Sequence, residues 1–286
     1  MFKPLLASAA DVKSLVYPLL ATPKIDGIRC LVTEEGPLSR KLKPIPNLHI
    51  QSMLNDAGLV GLDGELLTFT NGVRDDFNTV QSKVMSRDGE PDFKFIVFDR
   101  FDIPEEPYFR RVQLIDTQGH STLEVLHPVE INNQDELDQY EAECVDKLGW
   151  EGVMLRRPFS PYKYGRSTAK EGILLKLKRF VDTEATIIGV VEQYENTNEA
   201  KINALGLTER SSAKAGKVAK GTLGALRCSW EHGEFEIGTG FTQAQRDALW
   251  AERGSLIGKK VTFKYQGLGS NGAPRFPVFL GIRRDL

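Results

Sequence analysis

The feature that most restricts the fold is a series of short apolar runs, each broken by one or two charged residues at strand spacing. Leu59-Val60-Gly61-Leu62-Asp63-Gly64-Glu65-Leu66-Leu67 is the clearest of them. Side chains alternate across a strand, so Asp63 and Glu65 share one face. Two carboxylates on an apolar strand are costly unless paired, hydrated, or bound to a metal or to ligand hydroxyls. Gly172-Ile173-Leu174-Leu175-Lys176-Leu177-Lys178 follows the same logic with opposite charge. Lys176 and Lys178 repel each other on one face, and an anion such as a nucleotide phosphate between them turns that repulsion into binding. Trp150-Glu151-Gly152-Val153-Met154-Leu155-Arg156 again opens an apolar strand with an acid and a glycine, which makes Glu151 a third candidate ligand. Salt bridges or amphipathic surface strands would explain any one run alone. Their recurrence points to a common site.

Lys24-Ile25-Asp26-Gly27-Ile28-Arg29 supplies the reactive group for such a site. Taken alone, these six residues also fit a surface hairpin with a Lys/Asp pair around a turn glycine. A lysine amine attacks phosphorus only when neutral, and with a reference pKa of about 10.4 roughly one in a thousand is neutral near physiological pH. Nearby cations, a metal or desolvation must favour the neutral form, and Lys176 and Lys178 are placed to help. Gly27 suits a close backbone approach, Asp26 can bind a hydroxyl or a metal, and Arg29 offers a planar fork to phosphate or sugar oxygens. Cys30 to Thr33 reads as a strand, Glu34 to Pro37 as its turn, and the return strand leads to Arg40, Lys41 and Lys43. These three form either an exposed basic edge or a hold for a second phosphate.

The rest of the first half reads as scaffold. Residues 8–20 form a short helix or turn capped by Ser8 or Asp11. Residues 75–86 form a helix capped by Asp75 or Asp76 with Phe77, Val80 and Val84 inward, and Phe93 to Asp99 is a buried strand. Asn133 caps a helix to Leu148, with Glu136 three residues on and Leu137, Tyr140, Cys144 and Leu148 as its apolar stripe. Beyond a junction near residues 181–186, five short strand-like runs (Thr186 to Val191, Thr222 to Trp230, Phe235 to Gly238, Lys260 to Tyr265, Phe276 to Ile282) flank one helix. That helix opens with a Thr242/Gln245 capping box and is expected to close at Gly254. This pattern fits an OB fold. Residues 196–220 are too long and polar for a plain connection and carry Lys201, Arg210, Lys214, Lys217 and Lys220.

The 286 residues favour two domains, and 41% hydrophobic content gives each a core. A net charge of −2 argues against a uniformly basic nucleic-acid binder and says nothing of local faces. Cys30, Cys144 and Cys228 lie far apart with no CxxC, against zinc and a disulfide framework and in favour of a reducing, cytoplasmic setting. The N-terminal residues lack a secretory core, and no run approaches the roughly 18 apolar residues of a membrane span.

In their order and separation these motifs resemble the covalent nucleotidyltransferase superfamily, and within it the small, two-domain ATP-dependent DNA ligases of viral type. The resemblance covers nearly the whole chain through KIDGIR (24–29), LSR (38–40), LDGEL (62–66), FIVFD (95–99), EGVMLR (151–156) and LLKLK (174–178). It implies an α+β nucleotidyltransferase domain of antiparallel sheets flanked by helices over residues 1–184. An all-β OB-fold domain follows over residues 185–286, with a DNA-clamping basic insertion at about 196–220. It further implies a lysyl-AMP on Lys24, adenine contacts from Thr22 and Lys24, stacking of the base on Phe98, and ribose contacts from Glu65 and Arg29. Arg40 would hold the 5′-phosphate of a nick, and Asp26 and Asp63 would position its 3′-OH end. Glu151 and Asp63 would serve Mg²⁺ or Mn²⁺, and Lys176 and Lys178 the phosphates of ATP. Arg40, Lys41, Lys43, Lys201, Arg210, Lys214, Lys217 and Lys220 would face nicked duplex DNA, with the protein a monomer. The tail departs from the family: its RxDK motif is matched by Arg283-Arg284-Asp285-Leu286, without the lysine, so Arg275 and Arg283 are the candidates for orienting pyrophosphate. RNA joining or mRNA capping would use the same first motifs, whereas a non-catalytic binding module would not need all of them.

Overall fold

The structure, a computed structural model, describes every residue except 1, 179, 204–206, 270–271 and 284–286. Contacts divide the chain into two units, Met1–Lys178 with Ile202–Thr208, and Arg179–Lys201 with Glu209–Leu286. The expected boundary at 184/185 falls inside the strand Val181–Asn196, whose first residue already pairs with Tyr265. Backbone pairing therefore commits the chain to the second unit several residues earlier than the side-chain pattern indicates.

The first unit holds two sheets. In one, the strands run Gly36–Ser39, Ile28–Thr33, Leu62–Thr70, Asp92–Arg100 and Leu123–Val125, with Val73–Arg74 paired at the side of Leu62–Thr70. Alternation sorts its faces. Ile28, Cys30 and Val32 enter the core with Leu62, Leu66 and Phe95, while Arg29 lies opposite Glu65 and Leu31 opposite Asp63 in the register. The helices Leu48–Leu54 and Phe77–Met85, capped by Asn47 and Asp76, close this core with Ile50, Leu54, Val80 and Val84. The second sheet runs Ser8–Ala9, Leu175–Leu177, Val153–Arg156, Leu19–Pro23 and Val129–Ile131. Both sheets are antiparallel except for one edge pair in each, Ser8–Ala9 with Leu175–Leu177 and Asp92–Arg100 with Leu123–Val125.

The helix Gln134–Ala142 starts as its sequence implies. Asn133 accepts from the Glu136 N–H at 3.0 Å, and Glu136 accepts from the Asn132 N–H at 2.8 Å. It continues as a wider π turn over Glu143–Lys147, and the extra residue rotates Leu148 off the buried stripe, leaving it 51% exposed while Leu137 and Cys144 stay buried. No helix among the described residues is long and apolar enough to cross a membrane.

The second unit is a five-stranded antiparallel sheet in the order Gly233–Ile237, Lys217–Trp230, Val181–Asn196, Lys260–Tyr265, Val278–Ile282. A parallel bridge between Thr239 and Val278 joins its two ends, which closes the sheet as an OB-type barrel does. The helix Gln243–Ala251 carries the expected capping box, but it stops at Glu252, and Gly254 lies in the 3₁₀ turn that follows. The described residues of 196–220 form paired backbone rather than an open loop. The two long strands stay paired out to Asn196 and Lys217, short strands Ala200–Ile202 and Thr208–Arg210 follow, and Asn198 donates to the carbonyls of Ser211 and Ala213 at 2.9 and 3.0 Å.

Candidate active site

Lys24 lies where the strand Leu19–Pro23 ends against a turn that opens the strand Val153–Arg156. Its N–H donates to the Gly152 carbonyl at 2.7 Å, and its carbonyl accepts from the Glu151 N–H at 3.3 Å. Thr22, Met154 and Lys176 form one row across three strands, and the next row brings Lys24, Gly152 and Lys178 together. Only glycine fits at 152, because a Cβ there would sit 2.2 Å from the Leu177 carbonyl oxygen, at a φ of +153°. The Lys24 ammonium donates to one oxygen of Glu151, and the Lys178 ammonium donates to the other. Burial raises the pKa of the Glu151 carboxyl, but the two ammonium groups outweigh that effect and hold it below its ordinary value. Burial pushes the Lys176 amine down, aided by the charges of Lys178, Lys24 and Arg166.

The facing wall comes from the other sheet of the same unit. Arg29 donates to both oxygens of Asp63 at 2.6 Å and to the Leu5 carbonyl at 3.2 Å. Tyr162 donates its hydroxyl to Asp63 at 2.6 Å. Phe98 lies under two guanidinium groups, 5.1 Å from Arg29 and 5.7 Å from Arg156. Arg156 is itself held by the buried Asp99, which also takes a fork from Arg111 at 2.7 and 3.1 Å. Burial pushes the Glu65 carboxyl up to about 7, against the pull of Arg29 and Lys24.

Between these walls lies a cleft of about 280 Å³ lined by Thr22, Lys24, Arg29, Arg40, Glu65, Phe98, Lys176 and Lys178. A neighbouring cleft of about 300 Å³ takes Asp26, Lys41, Phe77 and Glu151 along with Lys24 and Arg40. The fold thus brings every sequence-derived candidate of the first unit to one place except Asp63 and Lys43. Lys43 is exposed and lines neither cleft.

Asp63 requires a correction. It is 0% exposed, and Arg29 and Tyr162 occupy both of its oxygens, so it orients Arg29 instead of offering a face to a metal or to a 3′-OH. No group of three or more His, Cys, Asp or Glu among the described residues could hold a metal. Glu151 also has both oxygens engaged, by Lys24 and Lys178, so a Mg²⁺ ion, which commonly takes one or two carboxylates plus substrate phosphates, fits there only when one of these ammonium groups releases it. In the second unit, Arg283 pairs with Glu184 at 2.9 Å and the Arg275 guanidinium lies 5.5 Å from the Phe276 ring. Residues 284–286, including the position of the missing lysine, lie outside the described residues. Lys201, Arg210, Lys214, Lys217 and Lys220 are all exposed.

Tyr162, Leu5, Arg111 and Arg166 escape the sequence reading. Tyr162 and Arg166 sit in an aperiodic segment, and Leu5 contributes only its backbone. Arg111 is a buried charge on a six-residue helix with no flanking pattern.

A family profile for the DNA ligase OB-like domain matches residues 215–283. A DNA ligase of Haemophilus influenzae is 29% identical over 269 residues, covering 90% of this chain and 83% of that protein. The structure of Chlorella virus DNA ligase-adenylate shares 38% identity and a TM-score of 0.57, covering 99% of this chain and 100% of that one. A Lig E DNA ligase shares the fold with a TM-score of 0.73 at 24% identity, covering 99% of this chain and 100% of that one. With the full-length match at 38% identity, the chain belongs to the ATP-dependent DNA ligases, as a minimal two-unit member.

Proposed function

We propose that the protein seals nicks in duplex DNA through a covalent adenylate on Lys24. The observation that carries this reading is the position of the Lys24 amine at the meeting point of both clefts, beside Lys176, Lys178 and Glu151. In the nucleotide cleft, Phe98 stacks on adenine with Thr22 along its edge, and Glu65 accepts a ribose hydroxyl beside Arg29. Lys176 and Lys178 place positive charge on the phosphate oxygens, where negative charge grows as the reaction proceeds. Lys24 Nζ bonds to the α-phosphorus, the bond to the bridging oxygen breaks, and pyrophosphate leaves, with Arg275 and Arg283 as the candidates for orienting it. Lys24 gives up its ammonium proton to solvent before the attack, since a carboxylate held below its ordinary pKa is a poor acceptor for it. Glu151 would hold Mg²⁺ or Mn²⁺ once an ammonium partner releases it, and the ion would supply charge neutralisation at the α-phosphate.

In the second and third steps the 5′-phosphate of the nick, held by Arg40, takes the AMP and frees Lys24. The 3′-OH, positioned with the help of Asp26, then displaces AMP and closes the strand. Lys41, Lys43 and the insertion cations Lys201, Arg210, Lys214, Lys217 and Lys220 neutralise the DNA backbone. The test is sealing of a singly nicked DNA duplex with ATP, GTP or NAD supplied separately. Sealing with ATP alone supports the reading, and sealing with NAD alone or no sealing at all refutes it.

A further inference from the structure

Arg74 belongs to none of the motifs above, yet it meets the active-site turn at three points. It ends the two-residue strand Val73–Arg74, paired through Phe69 to the sheet that carries Glu65. From there its guanidinium reaches the second sheet's side of the site. Nη2 donates to the carbonyls of Leu148 and Gly149 at 3.3 and 3.2 Å, and Cζ lies 3.8 Å from the centroid of the Trp150 ring. Those carbonyls sit just past the π turn, where the helix has run out of N–H partners and a cation is favoured. Gly149, at φ +65°, turns the chain there.

The next residues are the reactive ones. Trp150 is followed by Glu151, whose carboxylate takes the ammonium groups of Lys24 and Lys178 and whose N–H donates to the Lys24 carbonyl. Gly152 in turn accepts from the Lys24 N–H. A shift of residues 148–150 therefore carries both the Glu151 carboxylate and the Lys24 backbone with it. On its other side Arg74 lies within the field of Asp26, two residues beyond Lys24.

We propose that Arg74 is a positioning residue for lysine adenylylation: it staples the Leu148–Trp150 turn to the opposite sheet and thereby fixes Glu151 and Lys24 relative to the nucleotide cleft. This rests on the reading of Lys24 as nucleophile. Arg74 touches neither cleft, so it sets the geometry of attack and leaves nucleotide affinity to other groups. Because the side chain is exposed, its replacement leaves the core intact.

The experiment compares wild type, Arg74→Gln, Arg74→Lys and Lys24→Ala in single-turnover self-adenylylation by labelled ATP, alongside thermal melting. Each is also made with Trp230→Phe and Trp250→Phe, so that Trp150 is the sole tryptophan and is excited selectively over the tyrosines. Arg74→Gln is expected to slow adenylylation about tenfold with KM for ATP within about twofold, and to shift the Trp150 emission. Arg74→Lys should recover part of the rate, since an ammonium still reaches the two carbonyls. An unchanged rate or an unchanged Trp150 emission in Arg74→Gln overturns the proposal. So does a matched loss of melting temperature, kcat and KM, which would make Arg74 merely structural. Normal adenylylation with weaker, less salt-dependent nick binding would reassign Arg74 to the DNA backbone and also overturn it. Labelling of Lys24→Ala would instead refute the underlying nucleophile, independently of any Arg74 result.

Discussion

Glu65 makes the fold and the chemistry compete, and replacing it by glutamine should expose the competition. Its carboxyl sits on the strand Leu62–Thr70 opposite Arg29, with Asp63 and Asp26 close enough for their charges to act on it. Burial is the largest influence and lifts its pKa from 4.5 to about 7. Between those two values the native state binds more protons at Glu65 than the unfolded chain, so stability falls as pH rises from 4.5 and levels off above 7. The displacement corresponds to at most about 3 kcal/mol, and partial hydration of a half-buried group reduces it. Glu65→Gln cannot ionise. It should match wild type near pH 4.5, exceed it by about 1–3 kcal/mol at pH 8, and lose affinity for ATP at both. The assay is urea unfolding of the full chain at a series of pH values, followed by Trp150 emission with Trp230 and Trp250 replaced by phenylalanine. A gap between variant and wild type that does not widen with pH, or a variant less stable at pH 8, would refute the reasoning.

Three further substitutions test other parts of the site. Gly152→Ala places a Cβ 2.2 Å from the Leu177 carbonyl, so it should cost about 2 kcal/mol or more by urea melts and abolish adenylylation by displacing Glu151 and Lys178. Asp63→Asn breaks the ion pair between the fully buried Asp63 and the partly exposed Arg29; it should destabilise by about 3 kcal/mol and raise KM for ATP, and a variant as stable as wild type would restore Asp63 as a ligand. Replacing residues 197–216 by a short turn preserves the Asn196–Lys217 pair and removes Lys201, Arg210 and Lys214. Nick binding should weaken and its log–log salt slope should fall by about two to three, with self-adenylylation unchanged.

The charged alternation in the sequence foretold the site because a strand has only two faces. With Leu175 buried and Leu177 packed against the same core, Lys176 and Lys178 must emerge together, and Met154 then sets Thr22 in the same row as Lys176. The same rule misread Asp63. It shares a face with Glu65, but the pattern does not reveal that a fork from Arg29 and a phenol 99 residues away enclose it. Tyr162 and Arg111 were illegible for a related reason: their partners are fixed by tertiary packing, and a lone tyrosine or arginine in an aperiodic stretch carries no period. The helix after Asn133 shows the limit of spacing within a single element, since one π turn was enough to expel Leu148 from its stripe. The basic insertion could be located by composition, whereas the bonds from Asn198 to the Ser211 and Ala213 carbonyls at its base are revealed by no charge count.

Peptide mapping after reaction with ATP and Mg²⁺ shows whether Lys24 carries the nucleotide. The protein is incubated without DNA, quenched under alkaline conditions that preserve a phosphoramidate, digested, and sequenced by mass spectrometry. One adenylylated peptide is expected, modified at Lys24 and lost on addition of nicked duplex. Modification at Lys176 or Lys178 instead, or an adduct that persists when nicked DNA is added, would contradict it.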